Sequence, residues 1–200
     1  DLHSFPTRRS SDLDVAKLIG TLDTLANKNS DYPYINHQKT VYGNVPLCVL
    51  VNGLTFGTLS KFYGLVTSDI RVKISKNFSG VNEKQLEQYL KVITKFRNVC
   101  AHNERLFSYQ TRNDIPDTAL HKKLSIPQKG SQYICGKRDL FALVIAFRYL
   151  LPDRDFKMFK QSLCRIFTHY FTSAHSLSET ALYQMMGFPN NWKKITSYRK

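Results

Sequence analysis

From Asp14 onward, apolar and polar positions alternate with the period of a helix. Val15, Leu18, Ile19, Leu22, Leu25 and Ala26 share one face, and Asp14 stands where an N-cap belongs. The tract from Asn27 to Val45, with Pro33, Gly43 and several tyrosines, is predicted to be loop. PLCVLVNGLTFGTLSKFYGLV, Pro46 to Val66, begins with a proline suited to a first turn and stays apolar. Its Gly53 and Gly57 imply either a helix packed closely on a neighbour or a break between two short helices. Ser68 then caps a helix whose Ile70, Ile74 and Phe78 form a stripe, and Gly80 ends it. Asn82 and Gln85 spell a capping box for the next helix, in which Leu86, Leu90, Ile93, Phe96 and Cys100 make the apolar face. Gln110 to Gly136 is polar and irregular, with Pro116, Pro127 and Gly130; a surface excursion with a short hairpin is predicted. Helices follow at about Arg138–Leu151 and Asp153–Phe171, separated by Pro152, and a last one at Ser178–Met186 is closed by Gly187 and Pro189. Without internal repeat or heptad run, the pattern predicts an all-α bundle of amphipathic helices.

Composition narrows the partners. Lys and Arg outnumber Asp and Glu 29 to 15, for a net charge of +14, which favours a polyanion such as RNA over an acidic or neutral substrate. Cys48, Cys100, Cys135 and Cys164 show neither metal-ligand nor disulfide spacing, so they are expected to be reduced thiols of a cytoplasmic protein, with no metal and no cofactor. The most apolar run, Phe141 to Leu151, is interrupted by Arg148 and falls well short of the ~20 residues that cross a bilayer. The opening DLHSFPTRRSSDL, Asp1 to Leu13, resembles at every position the translation of a widely used sequencing adapter. Residues 1–13 are therefore expected to be adapter-derived, with 14–200 forming a single helical domain; a natural Ser- and Arg-rich tail is the alternative.

Candidate chemistry concentrates in KFRNVCAHNERLF, Lys95 to Phe107. Asn98, His102 and Arg105 are spaced four and three apart, which stacks them on one helix face, and Arg97 lies about 100° round from Asn98. Attack of a ribose 2′-OH on its neighbouring phosphate needs a proton carrier that works near neutrality, the property of imidazole. It also needs a fixed cation for the developing charge, the property of guanidinium. Asn98 is suited to orienting the imidazole or donating to a phosphate oxygen. One strip offers one histidine where an acid and a base are both wanted, so two copies facing each other in a homodimer would complete a site.

Arg97 and His102, separated by four residues, resemble the Arg-x4-His signature of HEPN ribonuclease domains. Together with PLCVLVNGLTFGTLSKFY and the terminal MGFPNNW, the chain from Asp14 to Trp192 looks like the Abi-like (AbiD/AbiF-type) abortive infection proteins of bacteria. That resemblance implies a HEPN-like bundle and an anti-phage endoribonuclease that cuts RNA without a metal. Arg97, Asn98 and His102 would be its catalytic residues, and Arg105 and Lys95 its RNA contacts. It also brings a cognate non-coding RNA and an antitoxin into view as partners, and no membrane. Cys48 stands where the family usually has tryptophan, Asn52 where an acidic residue is common, and Phe107 where tryptophan is frequent. The family also has a further N-terminal part, so the domain is expected to be incomplete at that end.

Other signals are weaker. His169 and His175 are expected at the surface or core edge, and His37 and His121 in loops without partners. The segment from Lys157 to Lys200 carries Lys157, Lys160, Arg165, Lys193, Lys194, Arg199 and Lys200 against Glu179 alone. Its Tyr170, Tyr183, Trp192 and Tyr198 are either placed to stack on unpaired bases or turned into the core beneath a solvated basic face. The rival function is a non-catalytic RNA-binding or partner-binding module. Sequence-specific DNA binding has little support, since no helix-turn-helix stands out.

Overall fold

The computed structural model describes the backbone of residues 6–27, 31–173 and 177–198, and side chains from residue 12 onward. Among these residues the chain is all-α except for one two-stranded hairpin. It divides into two compact units, Asp1–Arg71 and Val72–Lys200. No helix among the described residues is long and apolar enough to cross a membrane.

The first unit packs α1 (Pro6–Asn27) with α2 (Pro33–Tyr42), α3 (Leu47–Leu50) and α4 (Phe56–Leu65) around Leu18, Ile35, Leu50 and Tyr63. Two expectations need correction here. Helix α1 begins at Pro6, so Asp14 lies inside it and caps nothing. The tract taken for loop contains α2: Pro33 is its first residue and Gly43, at φ 67°, terminates it, so the punctuation marks a helix's two ends. Both alternatives at Gly53 hold together. A 3-10 turn over Val51–Gly53 separates α3 from α4, and a Cβ on Gly53 would come within 3.2 Å of Ile35. Thr55 then caps α4 by accepting from the Thr58 N–H.

Helix α5 (Ser68–Ser75) leaves Ile70 and Ile74 exposed and stops well before Gly80, so the expected stripe is not a core face. Asn77 ends it by donating to the Ile74 carbonyl.

In the second unit α6 (Glu83–Ala101) packs on α8 (Leu140–Leu150), and α8 on α9 (Asp153–Thr172). The Asn82–Gln85 capping box forms as expected. The buried face of α6 is Leu86, Tyr89, Val92, Phe96 and Val99; Leu90 and Ile93 are half-buried and Cys100 is exposed. The seam is thus rotated from the predicted one, because Tyr89 stacks on Tyr149 of α8 with ring centroids 5.7 Å apart.

The tract from Gln110 to Gly136 is irregular, largely exposed and carries the expected short hairpin, but it is not confined to the surface. It holds α7 (Ala119–Lys123) and the hairpin β1 (Gln128–Lys129) with β2 (Gln132–Tyr133), and it sends Ile115, Leu120, Leu124 and Ile126 into the core. His121, expected in a partnerless loop, is fully buried in α7. Its Nε2–H donates to the Gly136 carbonyl at 2.9 Å, while Nδ1 accepts from the Thr118 N–H and hydroxyl. With both nitrogens committed in that way, burial holds the imidazole below the usual histidine range. Across Gly136, Asp139 caps α8 by accepting from Ala142, and it also accepts from the Gly136 N–H.

Helix α10 (Glu179–Met186) is capped by Ser178 and closed by Gly187, as its sequence implies. A 3-10 turn over Trp192–Ser197 follows. Trp192, Tyr183, Phe188 and Phe167 form one aromatic cluster, with Trp192 5.2 Å from Phe188 and 5.6 Å from Phe167. Arg148, buried at the end of α8, donates to Asp153 and to the Tyr198 carbonyl, tying the terminal segment to α8 and α9.

Candidate active site

The candidate residues gather where α6 ends. Ala101 is its last residue and His102 its C-cap, with the His102 N–H donating to the Asn98 carbonyl at 3.0 Å. Asn103 then turns left-handed at φ 54°, and the Glu104 N–H closes back onto the Val99 carbonyl at 3.0 Å. With the Asn103 N–H donating to the Cys100 carbonyl at 3.3 Å, the Glu104 bond and the positive φ make a Schellman-type closure, which satisfies carbonyls that the last helical turn would leave open.

That closure corrects one expectation. Arg105 lies beyond the left-handed turn, so it does not continue the stack of Asn98 and His102; the chain has left the helix before reaching it. Lys95 takes that role from the other side, since Lys95, Asn98 and His102 are three and four residues apart along α6. Arg97 stands on the neighbouring flank, about 140° around the axis from His102. Its guanidinium approaches the Asn98 side-chain oxygen at 3.5 Å, a long contact that points it toward the strip. The Asn98 side chain thus meets Arg97, while its carbonyl takes the ordinary helix bond from the His102 N–H. Among the described residues no contact joins Arg97 directly to His102.

Lys95, Arg97, His102 and Arg105 are exposed and Asn98 is half-buried, while Phe96 and Val99 on the same helix are sealed in the core. The helix is fixed by its apolar face, and its polar strip is open to whatever covers it. Among the described residues, no group of three His, Cys, Asp or Glu side chains is placed to hold a metal ion.

Elsewhere the structure sorts the basic C-terminal segment. Trp192 and Tyr183 are buried, so of the two alternatives the core placement holds for both, and neither presents a face to a base. Tyr170 and Tyr198 are half-buried. Lys157, Arg165, Lys193 and Lys194 are exposed; His175, Arg199 and Lys200 lie outside the described residues. Lys160 is half-buried, with Nζ donating to the Lys193 carbonyl and to the Thr196 hydroxyl, and burial holds it below the usual lysine range.

The role of His121 was missed at the sequence level. Thr118-x-x-His121 has the spacing of a capping box with histidine in the place of Glu or Gln, and that was the signal available.

A family model described as Abi-like protein matches residues 3–108, just over half of the chain, and ends just beyond the Arg97–His102 run. No match was found among curated proteins or solved structures.

Proposed function

The chain belongs to the Abi-like protein family, and from that premise we propose that it is a metal-independent endoribonuclease of a bacterial abortive-infection system, acting in the cytoplasm. The observation that carries the proposal is the end of α6, where Lys95, Asn98 and His102 line one open strip with Arg97 on its flank, on a helix whose apolar face is sealed in the core and which lies within the stretch matched to the family.

In the proposed reaction the 2′-oxygen of a ribose attacks the adjacent phosphorus, and the bond from phosphorus to the 5′-oxygen breaks. The products are a 2′,3′-cyclic phosphate and a free 5′-hydroxyl. His102 of one copy removes the 2′ proton, and His102 of a second copy protonates the leaving oxygen. Arg97 binds the scissile phosphate and neutralises the charge that develops on it. Asn98 holds the arginine to the strip, while Lys95 and Arg105 draw the RNA backbone toward the helix end. A homodimer is part of the proposal, since each chain supplies one imidazole at this site. A non-coding RNA or an antitoxin is the proposed restraint on it.

The test compares the chain with His102→Ala on labelled single-stranded RNA in EDTA. Cleavage is expected to fall about 10²–10⁴-fold in the variant, with 2′,3′-cyclic phosphate ends on the unmodified chain's products. RNA affinity, set mainly by Lys and Arg, is expected to change little. Intact RNA bound equally by both proteins would overturn the nuclease in favour of a binding module.

A further inference from the structure

A second basic surface lies on α9, away from the helix that carries Arg97 and His102. Lys157, Lys160, Gln161, Cys164, Arg165 and Thr196 line a cleft of about 490 Å³, and none of them is acidic. Lys160 builds its floor: two of its three N–H groups are spent on the Lys193 carbonyl and the Thr196 hydroxyl, which fixes the terminal 3-10 turn against α9. Lys157 and Arg165 are exposed, and among the described residues neither has an ion-pair partner. They stand eight residues apart on α9, roughly 12 Å along its axis, with Gln161 between them in the same i, i+4 row.

Beside that row runs a second one. Met158 and Ile166, one position on from Lys157 and Arg165, are 57% and 64% exposed, so apolar surface lies parallel to the cationic row with Ser162 between. Single-strand binders pair a charged track for the backbone with side chains that the bases rest on, most often aromatic ones; here the row beside the cations offers Met158 and Ile166 for that contact. We infer that this face of α9 is a binding track for single-stranded RNA, with phosphates on Lys157, Lys160 and Arg165 and base faces against Met158 and Ile166. The inference rests on RNA being the molecule the protein engages, and it assigns that contact to a surface separate from the cleavage site.

Because the two rows do different jobs, they are separable. The experiment is fluorescence anisotropy with a labelled oligouridine across a salt series, using the whole chain with His102→Ala so that RNA survives. Lys157→Glu with Arg165→Glu is expected to weaken binding at least tenfold and to flatten the log–log salt slope by about 1.4, the loss of two single-strand phosphate contacts. Met158→Ser with Ile166→Ser is expected to weaken binding severalfold with the slope unchanged. Lys84→Glu with Lys129→Glu makes the same charge change on other exposed positions and is expected to have a small effect. Arg165→Lys, which keeps the charge, is expected to retain binding. Equal losses in the two charge-reversed proteins, or a slope unmoved by the α9 pair, would overturn the track. Loss of slope without any effect of the apolar pair would also overturn it, as a bare electrostatic face. Cleavage by the unmodified chain is scored on a gel and stands or falls separately.

Discussion

Gly187 ends α10 at φ 74°, and a Cβ built there would sit 2.1 Å from the Asp139 carboxyl carbon. Gly130 has nearly the same backbone, φ 64°, with nothing within 4 Å. Alanine at Gly130 is therefore expected to cost only the left-handed backbone, about 1 kcal/mol. Alanine at Gly187 must also displace the cap of α8 and is expected to cost at least about 2 kcal/mol more. Urea unfolding of the two variants gives the comparison directly. Asp139 itself is pushed up to about 6 by burial, against the opposing pull of the Gly136 and Ala142 N–H groups. A raised carboxyl contributes its stability fully below its unfolded value and loses it as the pH rises through about 6. Asp139→Asn removes that dependence, so the variant is expected to gain on the parent by roughly 2 kcal/mol between about pH 4 and pH 7. His121, held low, titrates with the opposite slope, but it is common to both proteins and drops out of the difference.

At the scale of elements, the end of α6 decides how the candidate site is presented. Asn103 adopts φ 54° there, a conformation that asparagine tolerates and glycine prefers. Asn103→Gly is expected to raise stability by up to about 1 kcal/mol and Asn103→Val to lower it by at least as much, measured by thermal unfolding. The cap of α6, the two ends of α10 and the break at Pro152 were legible in the sequence because each is written in a few adjacent residues, Asn82 with Gln85, and Ser178 with Gly187, whereas Asp139, which caps α8, was not singled out. The stop of α6 was not, since Asn103 carries no mark as plain as glycine, and so Arg105 was placed on a helix that had already ended. Helix α2 is not legible because a proline and a glycine ten residues apart suit a loop as well as they suit the start and stop that Pro33 and Gly43 are. The tract from Gln110 to Gly136 hid its four core residues among prolines and charges with no periodicity to betray them. Its buried positions are set by tertiary contact, and no local pattern encodes that. Arg97, Asn98 and His102, by contrast, fall on the last turn and cap of α6, on the helix where the sequence pattern had put them.

On the scale of the whole molecule, the two units draw on different kinds of core. Val72–Lys200 is sealed by aromatic rings, while the described part of Asp1–Arg71 relies on a few aliphatic side chains and Tyr63, and leaves Leu13, Ile19, Val41, Tyr42 and Leu47 open. The family match covers the first unit and α6 and stops short of α9. The chain's lone tryptophan, Trp192, sits with no exposure in the ring cluster of the second unit. Its fluorescence is thus a built-in reporter of that unit alone, whereas far-ultraviolet circular dichroism sums the helices of both. In a denaturant titration the circular dichroism signal is expected to start falling before the tryptophan emission shifts to the red; coincident curves would mean that the chain unfolds as one cooperative body.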